Sequence, residues 1–422
     1  LSSHICIFED NAVNNFYPLT YTRPVFELLC GMSALWEKVA RLFPDVEVHL
    51  LCREELAAVL RQRVSNVFVN EPERLQGKPC LFINGRLLAP KRIEELTVDV
   101  GWALTCNDDV VAAHLNAEGV REVFAGGVPE GGYLVSTVYK LCAMVPTQQI
   151  LLRYPWDVVS LNGDVMTSDF EAIGRGGQRL GKVYDGVHIV GNSDMIYVGE
   201  GAIVLPGCVL DTTAGPIYVD NDTLVRPPSY VQGPCYIGED CLIEGAKVRE
   251  GCSFGRTCKI GGEVSASVFQ AFSNKQHEGY LGHAYVGEWV NLGALVANSN
   301  LKNNYKPVKV QLNAKGGEID TNEQFFGCAI GDHTKVGIGG LLNTGTILGV
   351  GCNIFGGGMP PKYVASFCWG GADGFVEHRL DKMLETAGIV MKRRKVDLDA
   401  TYRGLMERLF EMTAADREVF LK

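Results

Sequence analysis

Residues Ser273 to Lys306, SNKQHEGYLGHAYVGEWVNLGALVANSNLKNNYK, put two histidines, three tyrosines, several asparagines and three lysines into one short window. An imidazole titrates near neutral pH and is suited to take a proton from a reacting atom. Asparagines also occupy left-handed turn positions, which their side chains tolerate, and a lone histidine is most often part of a surface turn. The polar residues alternate with aliphatic-Gly steps such as Val286-Gly287 and Leu292-Gly293. The window is therefore either a decorated turn of a repeat fold or a site built on one.

The repeat can be read directly. Val219, Val225, Val231, Ile237 and Ile243 fall six residues apart, as do Ile330, Val336, Leu342, Leu348 and Ile354; Val198/Val204 and Val286/Leu292 are shorter pieces of the same pattern. An aliphatic residue every six positions, often followed by Gly, predicts a hexapeptide β-helix in which three hexads make one triangular coil. That explains the 49 glycines, which allow tight turns with positive φ. Cys235/Cys241 and Cys252/Cys258 share the spacing and read as small stacked core residues; with no CxxC among the 14 cysteines, a zinc ribbon or thioredoxin motif is not expected.

Before the coil, ICIF, VEVHLL, VFVN and PCLFING read as buried strands, and MSALWEKVARLF and REELAAVLRQRV as helices with apolar positions three and four apart. This alternation predicts a Rossmann-like α/β domain with a mostly parallel sheet, whose ligands would sit at the carboxyl ends of the strands. GGQRLGKVYDG reads as a linker. The tail from Gly374 is helical in pattern, and its MKRRK run reads as a solvated helix face. The expected divisions are 1–180 (α/β), 185–370 (β-helix) and 371–422 (helical extension). A net charge of -10 argues against nucleic acid or an anionic membrane as the main partner. The absence of a signal-like N-terminus and of a spanning apolar run fits a reduced, cytoplasmic protein.

FEDNAVNNFYPLTYTRPVFELLCG, RYPWDVVSLNGD, GGEVSASV, SNKQHEGYLGH and GEWVNLGALVANSNLKNNY resemble the GlmU family, in which a sugar nucleotidyltransferase-like domain is joined to a left-handed hexapeptide β-helix. The likeness is strongest over residues 260–306. It implies an acetyltransferase using acetyl-CoA and glucosamine 1-phosphate, with His277 as general base. Tyr280, Asn291 and Lys306 would hold the sugar phosphate, and Asn300 with the backbone near Ala294 would face the acyl carbonyl and pantetheine. Lys247 and Arg249 are alternative phosphate grips. Ser265 stands where the family has a second Lys, for which Lys275 could compensate. LKNNYKPVKVQLNAKGGEIDTNEQFFG breaks the hexad period as the family's protruding loop does, and the resemblance implies a homotrimer with the site between subunits.

For the first domain the resemblance implies a uridylyltransferase that uses magnesium (Mg2+) and UTP to form UDP-N-acetylglucosamine, the alternative being a degenerate domain that only binds UTP or a UDP-sugar. Arg23 is the phosphate-facing candidate, the alternative being a structural Arg before Pro24. Asn162 in SLNGD is the nucleotide and metal residue, with Asp164 nearby. There is no glycine between ICIF and Gly31, and Arg86 stands where the family supplies a metal-binding Asp. Two further readings are a non-catalytic sugar-nucleotide binder and a zinc enzyme of the γ-carbonic-anhydrase type using His277, His283 and His333.

Overall fold

The computed structural model describes residues 4–88 and 92–422. The first three residues of LSSHICIFED and the last two of PCLFINGRLLAP lie outside the described residues. Two compact units emerge: one made of 1–16, 22–28 and 33–154, the other of 17–21, 29–32 and 155–422. The helix Pro155–Ile173 therefore belongs by its packing to the second unit, although the expected α/β division runs to 180.

In the first unit, His4–Phe8 is central. It pairs in parallel with Glu47–Leu51 on one side and Cys80–Asn84 on the other, and Phe68–Val69 extends the parallel half. Asp109–Leu115 pairs antiparallel with Cys80–Asn84, and Trp102–Cys106 and Ala143–Pro146 complete seven strands. Ile5, Cys6, Ile7 and Phe8 are all buried, as expected of a strand covered on both faces. Helices form over Leu35–Leu42 and Glu54–Arg63, burying Leu35 and Val39 in the first and Leu56, Val59 and Leu60 in the second. Phe8, Phe82, Val120, Leu134 and Val138 share one core. Each such side chain contributes about 1.5–3 kcal/mol on burial.

The second unit is a parallel β-helix. Two long sheets of 15 and 9 strands and a short pair, Ala297–Asn298 with Leu341–Leu342, form its walls. All ten residues of the two long hexad series are 0–3 % exposed. They stack rung on rung: Val219 on Ile237, Val225 on Ile243, Val231 on Val248, Ile330 on Leu348. Cys235 stacks on Cys252, and all 14 cysteines are free. The coil starts earlier than its pattern shows. GGQRLGKVYDG is its first turn and not a linker, because Lys182–Val183 already pairs with Ile203–Val204. A terminal rung has only one neighbour, so its side chains are less enclosed and the apolar period is lost.

Residues 301–325 leave the coil. Tyr285 stacks on Ala329, and the intervening chain folds into the small antiparallel pair Lys309–Val310 and Ile319–Asp320. At the far end Cys368–Gly371 turns back on Gly374–Glu377. Helices Leu380–Lys392, Ala400–Met412 and Ala414–Phe420 follow. Buried Met383, Leu384, Leu405, Met406 and Leu409 form their inner faces. In MKRRK, Lys392, Arg393 and Lys395 are exposed, but Arg394 docks on the coil and donates to Asn274 Oδ1 at 2.8 Å.

Candidate functional site

The coil sets outward and inward columns by strict alternation. One outward column runs Tyr230, Lys247, Glu263, Tyr280 across adjacent strands. Arg249, two residues past Lys247, meets the same Glu263 at 3.3 Å. Lys247, Arg249 and Tyr280 are thus gathered on one wall. The turn leading into Tyr280 requires Gly279: its φ is +125°, and a Cβ there would lie 2.2 Å from the Val296 carbonyl oxygen.

A polar chain is built on that wall. The Asn300 amide nitrogen donates to the Tyr280 hydroxyl at 2.9 Å and reaches His283 Nδ1 at 2.8 Å. With Nδ1 accepting, the neutral imidazole carries its proton on Nε2. Burial lowers the His283 pKa to about 4 and raises that of Tyr280, which Asn300 and Ser265 oppose by hydrogen bonding to the phenolate. The His283 ring stacks on Phe325, with centroids 5.0 Å apart, at the point where the excursion rejoins the coil. Asn298 brackets Gly282 by accepting from its amide and donating to its carbonyl, both at 2.8 Å. His283 is the residue that sequence reasoning undervalued. It stood in the same window, six residues after His277, and entered only as one of three metal candidates.

The other expected residues are placed as follows. His277 is exposed, and its carbonyl accepts from Lys275 Nζ at 2.7 Å. Lys275 itself corrects the expectation of a phosphate grip: it is fully buried, with Nζ also 3.3 Å from the Gly261 carbonyl. The reason is register, since Lys275 stacks on Ile260 in an inward column. Burial lowers its pKa to about 8. Asn291 is exposed and lies in a different outward column, Lys259, Asn274, Asn291, Lys335. The Ala294 carbonyl accepts from the Gly339 amide at 2.8 Å. Lys306 is exposed in the excursion. His333 is buried against Tyr402, with Nε2 3.1 Å from the hydroxyl, so it is no companion ligand for His277 and His283.

In the first unit, Arg86 is fully buried at the end of Cys80–Asn84. Its guanidinium meets Asp10 at 2.6 Å and Asp109 at 3.1 Å, and donates to the Leu152 carbonyl at 2.7 Å. Asn84 donates to Asp10 at 2.8 Å, completing the cluster. Desolvation works against the Arg86 charge, but the Asp10 and Asp109 carboxylates outweigh it and raise its pKa. The Asp10 and Asp109 carboxylates that could hold magnesium are already engaged by the Arg86 guanidinium, which takes the place a cation would need, so these residues do not fit a magnesium ion. Arg23 is also buried, with its carbonyl accepting from Arg53 at 3.3 Å.

The reading of SLNGD is corrected as well. Asn162 and Asp164 lie within the helix Pro155–Ile173, where a separation of two residues points side chains in nearly opposite directions. Asn162 is fully buried. It accepts from the Gly31 amide at 2.6 Å and donates to the Gly251 carbonyl and Ser253 hydroxyl, each at 2.9 Å. Its hydrogen bonds fasten the helix to the coil, and Asp164 is exposed. Neither residue serves a shared metal.

Comparison with known proteins agrees with this architecture. Residues 5–178 match the sugar nucleotidyl transferase family model. Beyond it, the chain is similar to a bifunctional sugar-1-phosphate nucleotidylyltransferase/acetyltransferase of Sulfurisphaera tokodaii, 29% identical over 49% of this chain and 44% of the relative. It is also similar to the bifunctional protein GlmU of Wigglesworthia glossinidia brevipalpis, 24% identical over 46% and 39% of the two chains. The GlmU of Methanocaldococcus jannaschii is 30% identical over 31% and 26%. The matched stretches span less than half the length of these relatives.

Proposed function

We propose that the chain is a bifunctional-type sugar-phosphate N-acetyltransferase whose first domain binds a sugar nucleotide. The observation that carries it is the Tyr280–Asn300–His283 chain, built on the wall that also holds Lys247 and Arg249. The amine of glucosamine 1-phosphate, or a similar amino-sugar phosphate, attacks the thioester carbonyl of acetyl-CoA. His277 takes the proton lost by the amine, the C–S bond breaks, and the thiolate leaves as CoA after protonation. His277 suits this role better than His283, whose low pKa and committed Nδ1 make it a poor base. Asn300 then acts as an orienting group at the acyl carbonyl, and Lys247, Arg249, Tyr280, Asn291 and Lys306 are the polar groups available to the sugar phosphate.

Arg86 favours the version in which the first domain binds UTP or a UDP-sugar without magnesium-dependent turnover. Two half-reactions test both parts. CoA release from acetyl-CoA with glucosamine 1-phosphate is expected, unaffected by a chelator. Pyrophosphate release from UTP with N-acetylglucosamine 1-phosphate and magnesium is expected to be absent. His277→Ala should lower CoA release by roughly 10²–10⁴-fold with folding intact. Wild-type turnover by that variant removes His277 from the mechanism.

A further inference from the structure

His4 and Glu47 are the first residues of two neighbouring parallel strands and stand opposite one another in the ladder. His49 follows Glu47 by two, so the three side chains leave the same face of the sheet. His49 Nε2 lies 3.2 Å from one Glu47 carboxylate oxygen, and His4 Nδ1 lies 4.0 Å from the other. One donor atom from each residue falls within 4.8 Å of the other two. A tetrahedral ion with bonds of about 2.1 Å to His nitrogen and carboxylate oxygen keeps its donors roughly 3.4 Å apart. The observed separations bracket that spacing.

The surroundings suit an ion. His4 and His49 are buried, whereas the Glu47 side chain is 33% exposed and leaves a way in from solvent. Both ring nitrogens of His49 are shut from solvent; Nε2 has the Glu47 carboxylate beside it, and Nδ1 has no hydrogen-bond partner among the described residues. Such atoms ordinarily find a partner, an ordered water or an ion. The Phe68 ring walls one side, its centroid 5.2 Å from that of His49. Imidazole coordinates only when neutral, and desolvation lowers the pKa of both histidines, that of His49 to about 4. The exposed Lys78 ammonium opposes a cation here, and the Glu47 carboxylate offsets it.

We propose that His4, Glu47 and His49 form a divalent transition-metal site of the two-histidine, one-carboxylate kind, with zinc the ion that its donors and spacing fit. Water completes the fourth position. The site lies at the amino ends of these strands, away from the carboxyl ends where ligands of such sheets bind. Its role is to tie the starts of two strands together.

The test uses the metal-stripped full chain. Cobalt(II) is titrated in and followed by its visible d–d bands, and zinc is then added in competition with a chromophoric chelator. The expected result is one equivalent per chain, a four-coordinate cobalt spectrum, and its loss as zinc displaces cobalt. Glu47→Ala and His49→Ala should each weaken binding by at least about a hundredfold. Removing the buried His49 ring opens a cavity, so Glu47→Ala, at the exposed corner, is the deciding variant, with circular dichroism and thermal melting verifying its fold. Wild-type affinity in a folded Glu47→Ala, or no saturable uptake by the parent chain, overturns the proposal.

Discussion

Arg86 is held by two carboxylates and a carbonyl with no solvent to replace them, so its removal leaves Asp10 charged and nearly buried. Breaking a buried pair from one side costs roughly 3–5 kcal/mol. Arg86→Met should lose about that much in urea unfolding, and adding Asp10→Asn should return part of it; full additivity of the two losses would deny the coupling. His283 gives a prediction of different kind. Its folded pKa is about 4 against an ordinary 6.5, so between those values the unfolded chain binds more protons. Stability present above pH 6.5 is therefore lost as the pH falls towards 4, by up to about 3 kcal/mol at about 1.4 kcal/mol per pH unit. His49 titrates in the same window, so the measurement is a difference. Unfolding free energies of the parent and His283→Gln, taken at pH 7 and 4.5, should show the smaller acid loss in the variant.

The elements show which of these residues a sequence can announce. Hexad aliphatics such as Val225 and Ile243 repeat at fixed spacing because each rung repeats the same inward position, so the coil was legible from periodicity alone. Cys235 on Cys252 followed from the same rule. Asn162 was misread because SLNGD matches the family's metal-site motif in a short local pattern, whereas flanking apolar residues and the docking bonds to Gly31 and Ser253 hold it in a helix. Lys275 carries a charge that suggests a surface, and only its register on Ile260 turns it inward. Contacts such as Arg86–Asp10 and His4–Glu47 join distant segments and leave no local pattern. The excursion over 301–325 was legible as a break in period, and it makes an element-scale prediction. The rungs on either side pair directly, Tyr285 with Ala329 and Ala297 with Leu341. Replacing residues 303–322 by a short Gly-Ser turn should thus leave the coil's circular dichroism intact. Acetyl transfer should fall sharply, because Lys306 and the approach to His283 through Phe325 are lost or loosened. Unchanged turnover would place the acceptor site elsewhere on the coil.

At the scale of the whole molecule, the β-helix carries apolar side chains that its own packing does not cover. Leu295 is 59% exposed, Ile338 78%, Leu341 42% and Phe355 46%. They are neighbours on consecutive rungs: the Gly339 amide bonds the Ala294 carbonyl, Leu341 stacks on Ala297, and the Gly337 amide bonds the Ile354 carbonyl. An apolar strip of this kind along a rigid wall suits an interaction surface, and the homotrimer that the GlmU resemblance implies would supply its occupant, a second copy of this chain. Ile338 is the most exposed member, so a charge there should do least harm to the coil and most to the contact. Ile338→Asp is expected to melt like the parent chain. In light scattering it should appear near the single-chain mass of 46.0 kDa, where the parent is expected at three times that value. Acetyl transfer should fall in step with dissociation if a neighbour's excursion completes each site, and concentrating the variant should restore part of both. A variant that remains trimeric and fully active would move the interface off this strip, and a monomer with full activity would confine the whole site to one chain.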